Sequence, residues 1–471
     1  LYLAAAFEGN NLFHVQIVDL QSGNMRNKTP EELFGNDDAN IFGITSSTYS
    51  RFQAIDLAKV LKRLHPDSWI VVGGVHFSHC AEETLAYVPE IDVVVRGEGE
   101  ITFTQLADRI AHGQSLDPVQ GITYRAGSLV IHNPDQQTAV DLDRINPYSC
   151  YSWDDYPEYL FGYPERVKAA SVMSSRGCPN SCIFCAKRAT SYRVRRADLV
   201  CDEIEMLLDR LSLRAINFID LSFTVWPAHV SEMCRTMSDR DLGVMWWCES
   251  RANVPLKLLE LMRKAGCVSV AVGVESGSPP VLSRLRKNIT LDQVRQFCKT
   301  CKQLDIHVQC YFMYSHPGET DREVLETLDF MVELDQWAQC YIQPAMIFPG
   351  TELESIARGK SVLLEGFNWC NLYDSHFNVA LRQLSTCPLY IEKLSPQFMK
   401  KVPRLLQKKR FTAGREQYLR EDVMDSNLIT LLQKAYSHFF VQRKPLPDFV
   451  CWPFLKMLFK RKVGFRTGPS S

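Results

Sequence analysis

Three cysteines fall within ten residues in Arg176-Gly-Cys178-Pro-Asn-Ser-Cys182-Ile-Phe184-Cys185, a CxxxCxxC spacing. Thiolates are soft ligands suited to zinc and iron–sulfur centres, and three on one loop can wrap a compact one. A closed structural zinc needs a fourth Cys or His close by. In the forty residues that follow, Cys201 is the one candidate, and it falls on a predicted helix. Three ligands to a four-iron cluster instead leave one iron open to a substrate or cofactor. The chain has 16 Cys in all. The others read as reduced core thiols, which behave as small hydrophobes. Cys298-Lys-Thr-Cys301 is included, because both its thiols lie on one face of a predicted crossover helix.

The elements around that loop alternate between strand and helix. Ahead of it, Val15–Leu20, Ala39–Thr45, Trp69–Val72 and Ile91–Val95 read as apolar strands, with a helical pattern over Phe52–Leu64. Continuous apolar strands between amphipathic helices predict a parallel sheet buried on both faces, a doubly wound α/β domain. Ligands of such sheets bind beyond the carboxyl ends of the strands. Thr45-Ser46-Ser47, Gly73-Gly74-Val75-His76 and Gly97-Glu98-Gly99-Glu100 all fall there. Small and hydroxyl residues at these ends let a large ligand approach the backbone; the competing reading is tight turns that need positive φ. Residues 121–164 become irregular and read as a small strand pair followed by a linker. Strands resume at Ala169–Met173, Ala215–Ile219, Val244–Cys248, Ser269–Val274, Val308–Tyr314 and Cys340–Met346. Six βα units are too few for a closed eight-unit barrel, so an open partial barrel is expected, with its catalytic residues at the strand ends.

With Phe184 before its last cysteine, the loop resembles the signature of the radical S-adenosylmethionine (SAM) superfamily. The resemblance continues at successive strand ends. Phe218-Ile-Asp220-Leu-Ser222 is similar to the segment that meets the methionyl amino group, with Leu221 where the family has a second acid. Arg251 is similar to the arginine that meets the methionyl carboxylate. Gly273-Val-Glu275-Ser276-Gly277 resembles the segment near the SAM ribose. Tyr314-Ser-His-Pro-Gly-Glu-Thr320 resembles the Pro-Gly-Glu-Thr turn, and Phe348-Pro349-Gly350-Thr351 the turn beside the adenine. The resemblance implies a [4Fe-4S] cluster held by Cys178, Cys182 and Cys185, with SAM on the open iron. It also implies an electron donor such as flavodoxin or ferredoxin, and a 5′-deoxyadenosyl radical that attacks an unactivated carbon.

The N-terminal motifs, with Arg96-Gly97-Glu98-Gly99-Glu100 among them, resemble the cobalamin (B12)-binding domain found ahead of many radical SAM enzymes. Cobalamin contacts are then expected from Thr45, Ser46, Ser47, Gly73, Gly74, Gly97 and Glu98. His76 is a candidate cobalt neighbour, against the plainer reading of a core histidine. No Asp-x-His-x-x-Gly motif for a lower ligand is present. The fold class expected is therefore α/β. A Rossmann-like domain (1–130) and a linker (131–165) precede a partial (β/α)6 barrel (166–355) and a mostly helical basic extension (356–471). The chain opens without Met and inside what reads as a helix, so an N-terminally truncated chain is expected.

The reaction that fits best is C-methylation of a small-molecule, lipid or peptide substrate. A ring-forming or rearranging reaction of tetrapyrrole-cyclase or hopanoid-modifying type is the alternative. A tRNA methylthiotransferase would bring more cysteines ahead of the motif than Cys80 and Cys150. A redox sensor with an inert cluster would not need the SAM-contacting set. Charge excludes a field that gathers nucleic acid, since 53 Lys+Arg oppose 54 Asp+Glu over 471 residues. Residues from Lys400 onward carry 16 basic side chains against 5 acidic. Within them, Cys451–Lys462 mixes bulky apolar and basic residues as interfacial segments do, an expectation of peripheral membrane contact. No apolar run reaches the ~20 residues that span a bilayer, and no basic n-region precedes Leu1–Phe7, so a cytoplasmic protein is expected. Trp246-Trp247 can send at most one side chain into the barrel. Tyr311, Tyr341 and Gln343 fall on late barrel strands as possible substrate contacts.

Overall fold

A computed structural model describes residues 1–20, 25, 28–148, 167–186, 191–363, 365–371 and 387–414, together with the backbone of 160–161. The chain divides into two compact units, Leu1–Lys409 and Arg410–Ser471. Two sheets lie in the first unit. In one, the strands Ile41–Thr45 (β1), Trp69–Gly73 (β2) and Val93–Val95 (β3) run parallel. The hairpin Ile122–Ala126 (β4) and Leu129–His132 (β5) extends it antiparallel from β3. The sheet is thus mixed, and the strand pair read from sequence is part of it.

Alternation along β2 and β3 explains why both faces are covered. Ile70, Val72 and Val94 face Ile55, Ala58 and Leu61 of helix Arg51–Leu64. Val71, Val93 and Val95 face Leu106 of helix Gly99–Ala111. The helix Arg51–Leu64 stops ahead of Pro66, as a helix must. Val15–Leu20 is a correction, because it forms no strand. Val15, Ile17 and Leu20 stay exposed, and β2 is β1's hydrogen-bonding partner within the sheet.

The second sheet begins with Leu160–Phe161 (β6), antiparallel to Val167–Val172 (β7). A two-stranded ribbon follows, Ser175–Arg176 (β8) against Arg193–Val194 (β9). Parallel strands then continue as Ala215–Phe218 (β10), Met245–Ser250 (β11), Cys267–Glu275 (β12), His307–Tyr314 (β13) and Gln339–Pro344 (β14). The order is β14-β13-β12-β11-β10-β7-β6, so six parallel strands curve without closing. Each crossover helix buries one stripe against the outer face of the sheet. Trp246 belongs to that packing: its ring meets Phe218 at 5.3 Å and its Nε1 donates to Ala265 O at 2.7 Å. Trp247 takes the other face. Cys298 and Cys301 are buried on helix Leu291–Gln303, where Cys298 Sγ lies 3.6 Å from Cys310 Sγ. Beyond helix Val402–Thr412, residues 415–471, and with them Cys451–Lys462, lie outside the described residues.

Candidate active site

The cluster cysteines lie in sequence between β8 and β9, where Arg176 and Arg193 are register partners. The three cysteines range from half-buried to exposed. Asn180 Nδ2 donates to Cys178 Sγ at 3.3 Å. Among the described residues, no three Cys, His, Asp or Glu side chains converge as one metal ion requires. A four-iron cluster makes no such demand, since each thiolate binds a separate iron. Three thiolates on one loop thus fit a cluster.

Around that loop the strand ends of the barrel present their side chains. Arg251, just past β11, is buried, with Nη1 3.7 Å from Cys182 Sγ. Its Nε and Nη2 are buried without a hydrogen-bond partner among the described residues. Buried donors are nearly always satisfied, so a guanidinium with two open N–H groups beside a cluster cysteine fits a carboxylate ligand. Ser222 Oγ is likewise buried and unpaired. Glu275 ends β12 in a left-handed conformation (φ 73°) and takes an ion pair from Lys287 Nζ at 2.7 Å, both side chains buried. Such strained positions cluster at ligand sites. Phe184 packs under Lys287, whose Nζ stands 5.9 Å from the ring centroid.

Two other members of the expected SAM set are hydrogen-bonded within the fold. Both oxygens of buried Asp220 are engaged: Oδ2 accepts from Ser174 N (3.0 Å), and Oδ1 from Ser174 Oγ (2.8 Å) and from Ser175 Oγ. Burial raises its pKa, and those hydrogen bonds work against the rise. Its carboxylate thus holds the start of the cluster loop. Ser276 is fully buried and bonds Thr327 Oγ1 (3.0 Å) and Ser278 N (3.1 Å), behind the sheet. At the adenine-like turn, Thr351 Oγ1 donates to Phe348 O (2.7 Å) and accepts from Glu354 N (3.0 Å), which fixes Phe348 and buried Pro349 at a helix start.

In the N-terminal sheet, exposed Thr45 and Ser47 and buried Ser46 sit at the end of β1. Ser46 Oγ bonds Ser47 O (2.8 Å) and Ser50 Oγ (3.0 Å). Gly73 closes β2, and Gly74 follows at φ 90° and ψ 178°, a conformation essentially confined to glycine. A Cβ there would meet Ser46 O at 2.7 Å. Gly97 has φ 74° and open space where its Cβ would be, which suits a bulky ligand laid on backbone. His76 is fully buried, its ring edge-on to Trp369 at 6.0 Å and its Nδ1 3.3 Å from Thr48 Oγ1. Burial, with Arg51 nearby, pushes its pKa down to about 3. It is a core histidine, and Val75 is the exposed residue at that helix start. Glu98 pairs with Arg176 (3.1 Å) and with Arg193.

Comparison with known proteins agrees with this geometry. Residues 172–331 match the radical SAM superfamily and residues 1–107 the B12 binding domain. An uncharacterized methyltransferase of Pyrococcus horikoshii is 31% identical over 360 residues, 75% of this chain and 77% of that protein. The chain belongs to the radical SAM superfamily. This radical SAM protein is also 29% identical over 351 residues to the anaerobic magnesium-protoporphyrin IX monomethyl ester cyclase of Rubrivivax gelatinosus, covering 72% of this chain and 62% of the cyclase. Its fold is that of the cobalamin-dependent SAM radical enzyme OxsB (TM-score 0.69, 17% identity, 98% and 72% of the two chains). The methyltransferase TsrM of Kitasatospora setae shares it too (TM-score 0.64, 21% identity, 76% and 72%). The radical SAM protein is an enzyme whose family chemistry brings a [4Fe-4S] cluster and SAM.

Sequence reading missed Lys287, Asn180, His79 and the partners of Glu98. Lys287 had a faint signal, a basic pair Arg286-Lys287 soon after the fourth barrel strand.

Proposed function

We propose that this radical SAM protein is a cobalamin-dependent C-methyltransferase. One observation carries the SAM half of the reading: Nε and Nη2 of Arg251, buried beside Cys182 without a partner among the described residues. When bound, the cluster with SAM supplies a reductively generated carbon-centred oxidant, and cobalamin supplies a transferable methyl group. Cys178, Cys182 and Cys185 hold the cluster. Arg251 orients the methionyl carboxylate, while Glu275 with Lys287 and the Phe348-Pro349 turn receive the ribose and adenine. Thr45, Ser47, Gly73 and Gly97 form the corrin floor at the strand ends. Tyr311 and Tyr341, stacked at 5.5 Å, form a wall of the lumen that faces substrate.

The substrate class we assign is a small molecule, lipid or peptide, with flavodoxin or ferredoxin as reductant. We read the chain as a 1–130 corrin domain, a 131–165 linker, a 166–355 barrel and a 356–471 extension. The basic-aromatic run in that extension supports a membrane-proximal, cytoplasmic placement. Likeness to the Rubrivivax cyclase favours a second reading, ring formation on the same two domains.

Anaerobic reconstitution with iron, sulfide and hydroxocobalamin, followed by denaturation and quantification, tests the proposal. About four irons and one cobalamin per chain are expected. Four irons without cobalamin would sink methyl transfer and leave ring formation in front. Product mass then separates the two, since methylation adds one CH2.

A further inference from the structure

Polar and charged residues of the N-terminal domain hold the cluster loop at both of its ends. At the base, Glu98 lies between the register partners Arg176 and Arg193, pairing with Arg176 Nη1 at 3.1 Å and with Arg193 Nη2. Glu100 adds a second carboxylate, Oε1 to Arg176 Nη2 at 2.8 Å. Two acids and two arginines thus neutralise one another, with side-chain exposures of 6–21%. Partly buried, hydrogen-bonded charge pairs are costly to break from one side, because the survivor keeps its desolvation without its partner.

At the far end, His79 Nε2 donates to Ala186 O at 3.1 Å, one residue past Cys185. The opposite side of that ring rests on Gly350, where a Cβ would overlap Nδ1. His79 is therefore wedged between the cluster loop and the adenine-like turn. Glu98, Glu100 and His79 stand on the same domain, after strands β3 and β2.

We propose that Glu98, Glu100 and His79 are positioning residues of the iron–sulfur loop, so that the B12-binding domain supplies half of the frame that holds the cluster. The Arg96-Gly-Glu-Gly-Glu100 motif then serves the cluster, with Gly97 left to the corrin. This rests on the radical SAM reading of Cys178, Cys182 and Cys185, but not on cobalamin being bound.

The test is hydrogen exchange on the full-length, iron-free chain, comparing E98Q and R193Q with the parent. Exchange over residues 174–196 should quicken roughly tenfold in either variant. Residues 267–275 of β12 should keep the parent rate. The double variant should add little to either single one, because both remove the same pair. After reconstitution, E98Q should keep the iron content but show a raised cluster midpoint potential, since an uncompensated arginine then sits at the loop base. Unchanged exchange over 174–196 would overturn the proposal, as would acceleration spread equally over β12. A normal clamp in a chain that takes up no iron would instead count against the cluster reading alone.

Discussion

Single side chains carry the sharpest expectations. R251A should leave iron content intact and weaken SAM binding roughly 10- to 100-fold, the scale of a lost buried charge-assisted fork. Equilibrium binding of SAM to the reconstituted protein checks this, and an unchanged affinity would remove Arg251 from the site. Glu319, fully buried in the Pro-Gly-Glu-Thr turn, has its pKa pushed up to about 7, chiefly by burial and against hydrogen bonds from the backbone of His316 and Ser315. Between the ordinary value of 4.5 and about 7, the folded chain keeps a proton that the unfolded chain releases. Stability from this group is complete below 4.5 and is lost as pH rises to about 7, by about 3 kcal/mol. E319Q cannot titrate, so its stability relative to the parent should climb across that window in urea unfolding. His316, which burial keeps neutral down to about 4, has the opposite slope, but it is common to both proteins and cancels. A pH-independent difference would contradict the shift. At this scale the sequence was legible where spacing is local: three thiols in one loop declare themselves. Glu98 and Asp220 did not, because their partners lie 95 and 46 residues away. A motif names residue types, and the fold decides which way each one turns.

Among elements, glycine geometry between β1 and β2 gives a direct test. G74A places a methyl group against Ser46 O in a backbone conformation that L-residues avoid, and should cost about 2 kcal/mol or more. Calorimetry should register it as a fall in Tm, and a Tm within experimental error of the parent would mean that the loop relaxes freely. The six barrel strands were readable from the sequence, since each apolar run is bounded by an amphipathic crossover. Their ends moved by a residue or two, as with Val167–Val172 in place of Ala169–Met173. Val15–Leu20 misled because apolar residues alone do not make a strand; a neighbour must supply the hydrogen bonds. The β4–β5 hairpin was legible as a pair, but its joining to β3 was not, because register between distant strands leaves no local trace.

Over the whole chain, charge is divided unevenly, with 16 basic and 5 acidic residues from Lys400 on. Deleting residues 440–471 should abolish sedimentation with anionic vesicles and leave the cluster absorbance unchanged. Retained sedimentation would end the membrane role assigned to that run. Among the described residues no helix is long and apolar enough to cross a membrane. The barrel sheet ends in two edges, β6 and β14. Near the top of β14, Tyr390 N donates to Ala345 O (2.9 Å) and Ile347 N to Pro388 O (2.8 Å), and among the described residues no strand fills the rest of the seam. Among the described residues the sheet therefore stays open between these two edges. A sealed vessel would sort molecules by total bulk. An open-sided one sorts them by the portion inserted, so compounds that share a reacting fragment and differ only in what trails outside should compete as equals. Discrimination then belongs to the inner wall, where the Tyr311–Tyr341 stack stands.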